Sequence, residues 1–497
     1  MKRSSGVLLH ITSLPGRYGV GTLGNHARRF ADFCHQAGLS WWQILPVGPA
    51  GNGNSPYQSD SVFAGNPDLI DLEQLIEWGL LKREECDRLD WGSHADEVCF
   101  EKLHRNQPQL LRLAFARAKQ DSALWEQVQR FVAEQDWLDD YALYLALKQQ
   151  MGGKPWQQWD APLAKRDRQT LKLWKERLQE EMEYHCWVQY LFFEQWAKLK
   201  EYCNRKGVRL IGDIPIYVAL DSADAWAEPQ LFQFDEELNP VAVAGCPPDA
   251  FSATGQLWGN PLYDWPRHKA EDFAWWKRRM QHATSIYDVV RIDHFRGFES
   301  YYAIPAGNKT AAGGHWEKGP DRAFINAIHE TLGQGGIIAE DLGYLTPEVK
   351  TMLAASGYPG MKIMQFAFDS REPGNYLPYT YPHNSVVYTG THDNVTTEGW
   401  RQSASPEDVH YACRYLRCLP EDLTEAMICA CLASVSDMAI IPMADWLHLG
   451  AEARINTPST QGANWQWRLD TPLTSLLAEH IADLTALYDR APAAADR

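Results

Sequence analysis

Eight short apolar runs, rich in Val and Ile and each closing on a polar or glycine-containing loop, are spread along the chain. They are Val7–Ser13, Trp41–Val47, Val208–Val218, Val289–Asp293, Ile337–Glu340, Met361–Phe368, Val386–Thr391 and Met438–Pro442. A strand wetted on one side alternates apolar and polar residues. Strands as continuously apolar as these are covered on both faces, as in parallel sheets. Helical signals fall between them. Asn25 reads as an N-cap and Gly38 as the C′ residue of a helix that feeds Trp41, while Thr346-Pro347 opens a helix that Gly357 closes. Eight strands alternating with helices predict an α/β fold of the (β/α)8 type, a TIM barrel.

The spacing is uneven. About 160 residues separate the second and third runs, far beyond any βα loop. Residues 50–205 are therefore expected to form a largely helical insertion between strands 2 and 3. Within it Val188, Phe192, Trp196, Leu199 and Cys203 recur at the helix period. A second insertion, residues 230–285 between strands 3 and 4, should supply a loop and helices beside the active site. Its part from Leu231 to Pro266 is rich in Pro and Gly and has no period. One catalytic barrel over residues 1–497, with insertions at the C-terminal face of its strands, accounts for the whole pattern, and a chain this long needs no disulfide or metal staple.

Composition narrows the function. Lys+Arg 47 against Asp+Glu 64 leaves a net charge of −17, which argues against nucleic acid or an anionic membrane as partner. No run of about 18 apolar residues suggests a transmembrane helix. Lys2-Arg3 and Val7-Leu8-Leu9 open like a signal peptide, but His10, Thr12, Ser13 and Pro15 break the apolar stretch. The ten cysteines show no CxxC pair, and Cys429-Ala-Cys431 reads as core, so a reduced, cytoplasmic protein is expected, as a monomer or weak homo-oligomer. Twenty-one Trp and 21 Tyr suit a surface that grips sugars by flat faces and polar edges, although filling a large core explains the count as well.

In such barrels the chemistry sits at the C-terminal strand ends. Arg291 and Asp293 stand two apart, on one face of a strand. Ile337-Ile338-Ala339 runs into Glu340, Val386–Thr391 into His392-Asp393, and Ile211-Gly212 into Asp213. Each acid alone could be a satisfied loop cap. Several on separate strands, with Arg291 beside them, fit glycosidic-bond chemistry: one acid attacks the anomeric carbon, one protonates the leaving oxygen, and a third supports the oxocarbenium-like charge. Arg291 should hold Asp293 ionised, and Glu340 should need a raised pKa. Asp341 points off the opposite side of its strand and reads as structural. A metal held by Asp293, His294, His392 and Asp393 is disfavoured, because neighbours on a strand face opposite ways. Neither a GxSxG elbow nor a glycine-rich phosphate motif is present. No metal or cofactor is expected.

At these residues the sequence resembles the amylomaltases, the bacterial 4-alpha-glucanotransferases also called disproportionating enzymes, in their short form. The resemblance runs in order through Ser55-Pro56-Tyr57-Gln58, Phe63-Ala64-Gly65-Asn66-Pro67, Gly212-Asp213-Ile214-Pro215-Ile216-Tyr217-Val218 and Pro247-Pro248-Asp249. It continues through Gly255-Gln256-Leu257-Trp258-Gly259-Asn260-Pro261-Leu262-Tyr263, Arg291-Ile292-Asp293-His294-Phe295-Arg296-Gly297 and Ala339-Glu340-Asp341-Leu342-Gly343. Gly390-Thr391-His392-Asp393-Asn394, Glu452-Ala453-Arg454 and Asn464-Trp465-Gln466-Trp467-Arg468 complete it.

The resemblance implies Asp293 as nucleophile, Glu340 as acid/base and Asp393 as transition-state stabiliser. It implies that Tyr57, Asp213, Arg291, His294 and His392 line the cleaved sugar's subsite. Asp249, Gln256 and Trp258 would lie on a mobile loop over the cleft, and Asn464 would touch the glucan further out. Trp258 could otherwise be a staple packing that loop, and His294 a satisfied core histidine. Val395, Ser459 and the run Leu377-Pro378-Tyr379-Thr380 depart from the usual family residues, at positions that bear on outer subsites. The implied activity is retaining transfer between maltooligosaccharides or α-1,4-glucans, which serve as donor and acceptor. Two other functions fit the same residues: an α-amylase-like retaining hydrolase, and a non-catalytic glucan-binding protein.

Overall fold

The computed structural model describes residues 2–248, 252–343, 345–371, 376–460 and 462–492. Twelve strands are present among them: β1 (Ser4–Leu8), β2 (Trp41–Gln43), β3 (Arg209–Ile214), β4 (Ala242–Cys246), β5 (Gln256–Pro261), β6 (Val289–Ile292), β7 (Ser300–Pro305), β8 (His315–Lys318), β9 (Ile337–Ala339), β10 (Gly360–Ile363), β11 (Ser385–Tyr388) and β12 (Met438–Pro442). Eight of them, in the ring order β1-β12-β11-β10-β9-β6-β3-β2, close a barrel in which every pairing is parallel. Each falls within or overlaps one of the eight apolar runs. The barrel is filled rather than hollow: Leu8, Trp41, Ile211, Val289, Ile338, Met361, Val386, Tyr388, Met438 and Ile440 belong to one buried cluster inside it.

The first strand lies earlier than the apolar run suggested. It starts at Ser4 and stops at Leu8, and Ile11–Ser13 form a 3-10 turn instead. The strand tolerates Ser4 because its hydroxyl accepts the Trp41 indole N–H at 3.0 Å. The next helix is Asn25–Gln36, with Gly24 rather than Asn25 at its N-cap. Thr346 does cap its helix, accepting the Val349 N–H, and Gly357 ends it with φ 68°.

Two guanidinium groups close the base of the ring. Arg490, fully buried, donates to the carbonyls of Leu432 at 2.7 Å, Ser4 at 2.9 Å and Ser436 at 3.0 Å. Arg3 donates to Ser434 at 2.7 Å and to Tyr488 at 3.0 Å. The start of β1, the approach to β12 and the end of the last helix (Ser475–Leu487) are thereby tied together.

Between β2 and β3 the chain is helical, with Phe100–Ala118, Ser122–Glu134, Leu138–Gln150 and Gln179–Arg205 as the longest elements. The stripe Val188, Phe192, Trp196, Leu199 and Cys203 is buried along the last of these. That helix also fixes the loop that follows β2. The Gln189 amide accepts the Gly65 N–H at 2.7 Å and donates to the Gly65 carbonyl at 2.9 Å. Gln195 treats Asp71 in the same way, at 2.7 and 3.2 Å. A Cβ on Gly65 would lie 1.9 Å from the Phe192 ring, so only glycine lets the loop approach this closely.

One element was invisible to the pattern. β5, β4, β7 and β8 form an antiparallel sheet beside the barrel mouth, drawn from both sides of β6. The stretch from Leu231 to Pro266 therefore contains two strands. Their alternation is broken by a register shift between Val243 and Gly245 and by Leu257, which faces solvent. Among the described residues, no helix is long and apolar enough to cross a membrane.

Replacing Gln189 by Leu keeps the volume but leaves the buried N–H and C=O of Gly65 unpaired. It should destabilise the protein by about 1–3 kcal/mol. Thermal unfolding is expected to show a lower Tm together with weaker substrate binding through the displaced Tyr57 loop.

Candidate active site

The barrel's charged centre is Arg291, carried on β6. Its Nη1 donates to Asp213 Oδ2 at 2.6 Å and its Nη2 to Asp293 Oδ1 at 2.9 Å, while Nε meets Met361 Sδ at 3.3 Å. The pair with Asp213 is almost wholly sealed, whereas the Asp293 side chain keeps 31% of its surface. Strand registry explains the alignment, since Asp213 on β3 pairs directly with Arg291 on β6. The Tyr57 hydroxyl donates to the same Asp213 Oδ2 at 2.8 Å, which ties the loop after β2 to the barrel interior.

Glu340 begins where β9 ends. Its two oxygens accept backbone N–H groups, from His294 at 2.7 Å and from Leu342 at 2.8 Å. Burial is the main influence on it, with the negative charge of Asp293 second, and together they push its pKa up to about 7 against the pull of Arg291 and the two N–H donors. Asp293 departs from the sequence expectation. Burial raises its pKa, and Arg291 opposes that rise without reversing it. The order of the two acids still follows from contacts: Asp293 has a guanidinium at hydrogen-bond distance, and Glu340 is held by neutral donors. Charge belongs on Asp293 and the proton on Glu340.

The third acid lies on a turn rather than a strand. β11 stops at Tyr388, and Asn394 Oδ1 accepts the Thr391 N–H at 2.9 Å to shape the bend. On this turn His392 Nε2 lies 3.4 Å from Asp393 Oδ1, so these neighbours face each other. Strand alternation does not separate them here, because β11 has already ended. Tyr57 stacks on His392 with ring centroids 5.2 Å apart and planes 14° apart. Asp341, as expected, is structural: it accepts the Met361 N–H at 2.6 Å.

His294 follows β6 with φ 53°, a left-handed conformation unusual for a non-glycine residue. The Trp258 ring meets it edge-on at 4.8 Å. Burial lowers the His294 pKa to about 3, so the ring is neutral, and its buried Nε2 has no hydrogen-bond partner among the described residues. A satisfied core histidine would have one. Trp258 sits on β5, with its indole N–H donating to Gln256 Oε1 at 3.1 Å. Trp258 therefore covers His294 and also packs against Tyr217, at 6.3 Å between centroids. Asn464 is set apart. Its amide accepts the Thr457 N–H at 2.9 Å and donates to the Thr460 carbonyl at 3.0 Å, stapling its own loop. Asp249 falls outside the described residues. Among those residues no group of three or more His, Cys, Asp or Glu is arranged to hold a metal ion.

The sequence pattern of the 4-alpha-glucanotransferase family matches residues 9–474. The chain belongs to that family. A 4-alpha-glucanotransferase of Streptococcus pneumoniae serotype 4 is 46% identical over 98% of both chains, and one of Thermus thermophilus is 46% identical over 98% of this chain and 99% of its own. The solved amylomaltase from Streptococcus agalactiae, in complex with acarbose, is 40% identical, covers 99% of this chain and 100% of its own, and superposes with a TM-score of 0.96.

Several residues of this family member's site carried no usable sequence signal. Gln43 receives the Tyr388 hydroxyl at 2.8 Å inside the barrel. His10 accepts the Leu45 N–H on Nδ1 at 3.2 Å, and burial, with His392 nearby, holds its pKa down at about 3. Trp465, next to Asn464, stands 5.9 Å from Tyr57 and 6.1 Å from His392 between ring centroids. Arg454 stood in a family-like run but suggested no role, and Asn456 nothing at all.

Replacing Arg291 by Leu would leave the buried Asp213 and the partly exposed Asp293 without their shared cation. A loss of about 3–5 kcal/mol is expected, as for a buried pair stripped of one partner. Chemical denaturation should show it, and Arg291→Lys, which lacks the fork, should recover only part.

Proposed function

We propose that the protein is a 4-alpha-glucanotransferase acting on maltooligosaccharides and α-1,4-glucans by retaining double displacement. The observation that carries this reading is the split of two adjacent carboxyls into unlike states: Asp293 bonded to Arg291, and Glu340 raised to about 7 by burial and by Asp293. Family membership and the likeness to an amylomaltase solved with acarbose support it.

Asp293 attacks the anomeric carbon of the donor, whose bond to the departing chain breaks as Glu340 gives that oxygen its proton. The 4-hydroxyl of a second glucan then attacks the same carbon. Its proton goes to Glu340, and the ester to Asp293 breaks. One glycosidic bond is lost and one made, so reducing ends are conserved. Asp393 supports the positive charge that develops at the ring. Tyr57, Asp213, Arg291, His294 and His392 hold the reacting sugar. The neutral His294 suits hydrogen bonding to a hydroxyl and does not neutralise Asp293. Gln256 and Trp258, which stand on β5 rather than on a loop, cover the cleft and favour a sugar acceptor over water. Asn464 shapes the loop beside Trp465, where the glucan leaves the site. The site needs no metal or cofactor, and we place the protein in the cytoplasm.

Incubation with maltotriose tests the activity. Longer maltooligosaccharides and glucose should appear together while total reducing ends stay constant. Rising reducing ends with only shorter products would make it a hydrolase, and Asp293→Asn should abolish either activity.

The acid/base assignment has its own signature. Glu340 must carry a proton to assist departure, so kcat/KM should fall as pH rises through about 7. Linkage runs the same way: with an ordinary value near 4.5 when unfolded and about 7 when folded, Glu340 binds more protons in the native state between these values. Its contribution to stability is present at low pH and lost as pH climbs to about 7. Glu340→Gln should remove turnover while raising the Tm at pH 8.

A further inference from the structure

The loop after β12 reaches back over the barrel mouth to the turn that carries the third acid. Asn456 Nδ2 donates to Asp393 Oδ1 at 2.6 Å, and the Asn456 backbone N–H donates to the His392 carbonyl at 3.1 Å. Arg454 locks the two segments together: its Nε donates to the Asn456 carbonyl at 2.7 Å and its Nη2 to the Asp393 carbonyl at 2.6 Å. Between them, Ile455 packs against the apolar filling of the barrel and accepts the Trp465 N–H at 2.7 Å.

Asp393 needs such a hold more than the other two acids do. Asp293 follows directly from β6, and Glu340 from β9. Asp393 lies beyond the end of β11 on a turn, with 46% of its side chain exposed. Among the described residues its side-chain contacts, from Asn456 and His392, fall on Oδ1, which leaves Oδ2 open to a ligand. The main donor is also neutral. A lysine or arginine there would fix the carboxylate but cancel the charge needed opposite an oxocarbenium-like centre, whereas an amide fixes it and leaves the charge intact.

We propose that Asn456, set in place by Arg454, is the positioning residue for Asp393, presenting Oδ2 to the sugar by holding the carboxylate with a neutral amide rather than a bonded cation. This rests on the reading of Asp393 as the transition-state stabiliser.

The test compares Asn456→Ala, Asn456→Asp and Asp393→Asn in maltotriose disproportionation across pH, each checked by thermal unfolding. Asn456→Ala should lower kcat about 10- to 100-fold, as misplaced catalytic groups do, with KM within about threefold. Asn456→Asp, which keeps the shape, sets a carboxylate against Asp393. The groups facing Asp393 are His392 and Arg454, with Tyr57 and Asp293 within electrostatic reach. Adding a negative charge to that set should move the acid limb of kcat up by about one pH unit, a shift that a merely structural role would not produce. If Asn456→Ala fails to fold, the isosteric Asn456→Asp decides. A kcat within twofold of the parent in Asn456→Ala, or an unmoved acid limb in Asn456→Asp, overturns the proposal. Full activity in Asp393→Asn would instead overturn the reading beneath it.

Discussion

The pairing of Arg291 with Asp213 inside the barrel is the contact on which the rest of the site depends. A lone guanidinium or carboxylate could not be buried there, because desolvation would outweigh anything the interior offers in return. Together they form a stable charged core, and the fork of Arg291 has a second arm left for Asp293. Asp213 also takes the Tyr57 hydroxyl, which brings in the loop after β2, and Tyr57 in turn stacks on His392 from the far side of the ring. One buried ion pair therefore spreads order to the loops that follow three strands, β2, β6 and β11. It also sets the electrostatic contrast between the two acids, for Glu340 feels the charge of Asp293 and has no share of the fork.

The helical insertion serves this centre by holding backbone. Gln189 and Gln195 each behave as an extra peptide group, satisfying both polar atoms of a loop residue. This is how a long irregular segment can be buried without orphaned donors. The small antiparallel sheet does comparable work, with β5 setting Trp258 against His294. The many tryptophans are divided between the two uses that composition left open. Trp187, Trp196, Trp226 and Trp276 are sealed in the interior, while Trp258 and Trp465 stand at the site.

How much of this could be read in the sequence follows from which forces act locally. The eight barrel strands were legible because burial on both faces leaves a continuous apolar run, and strands that end in Asp, Glu or His at the same end of a barrel announce a site. The first strand was misplaced because Ser4, Ser5 and Gly6 are buried without being apolar. The sheet of β4, β5, β7 and β8 was missed because a bulge and an exposed Leu257 erase its period. Asp293 and His392-Asp393 lie just past strand ends, where alternation no longer predicts direction. Asn456, Gln43 and His10 act through contacts distant in sequence, which no local pattern records.

The buried guanidiniums at the base of the barrel have a consequence for synthesis. β1 is made first and its partner β12 last, and Arg490, which clasps both approaches, follows still later. A nascent chain thus carries β1 with one edge unpaired until β12 has been made, and the ring cannot shut before then. The insertion between β2 and β3 can collapse on its own helices in the meantime, whereas the catalytic centre, whose walls come from every quarter of the ring, matures only at the end.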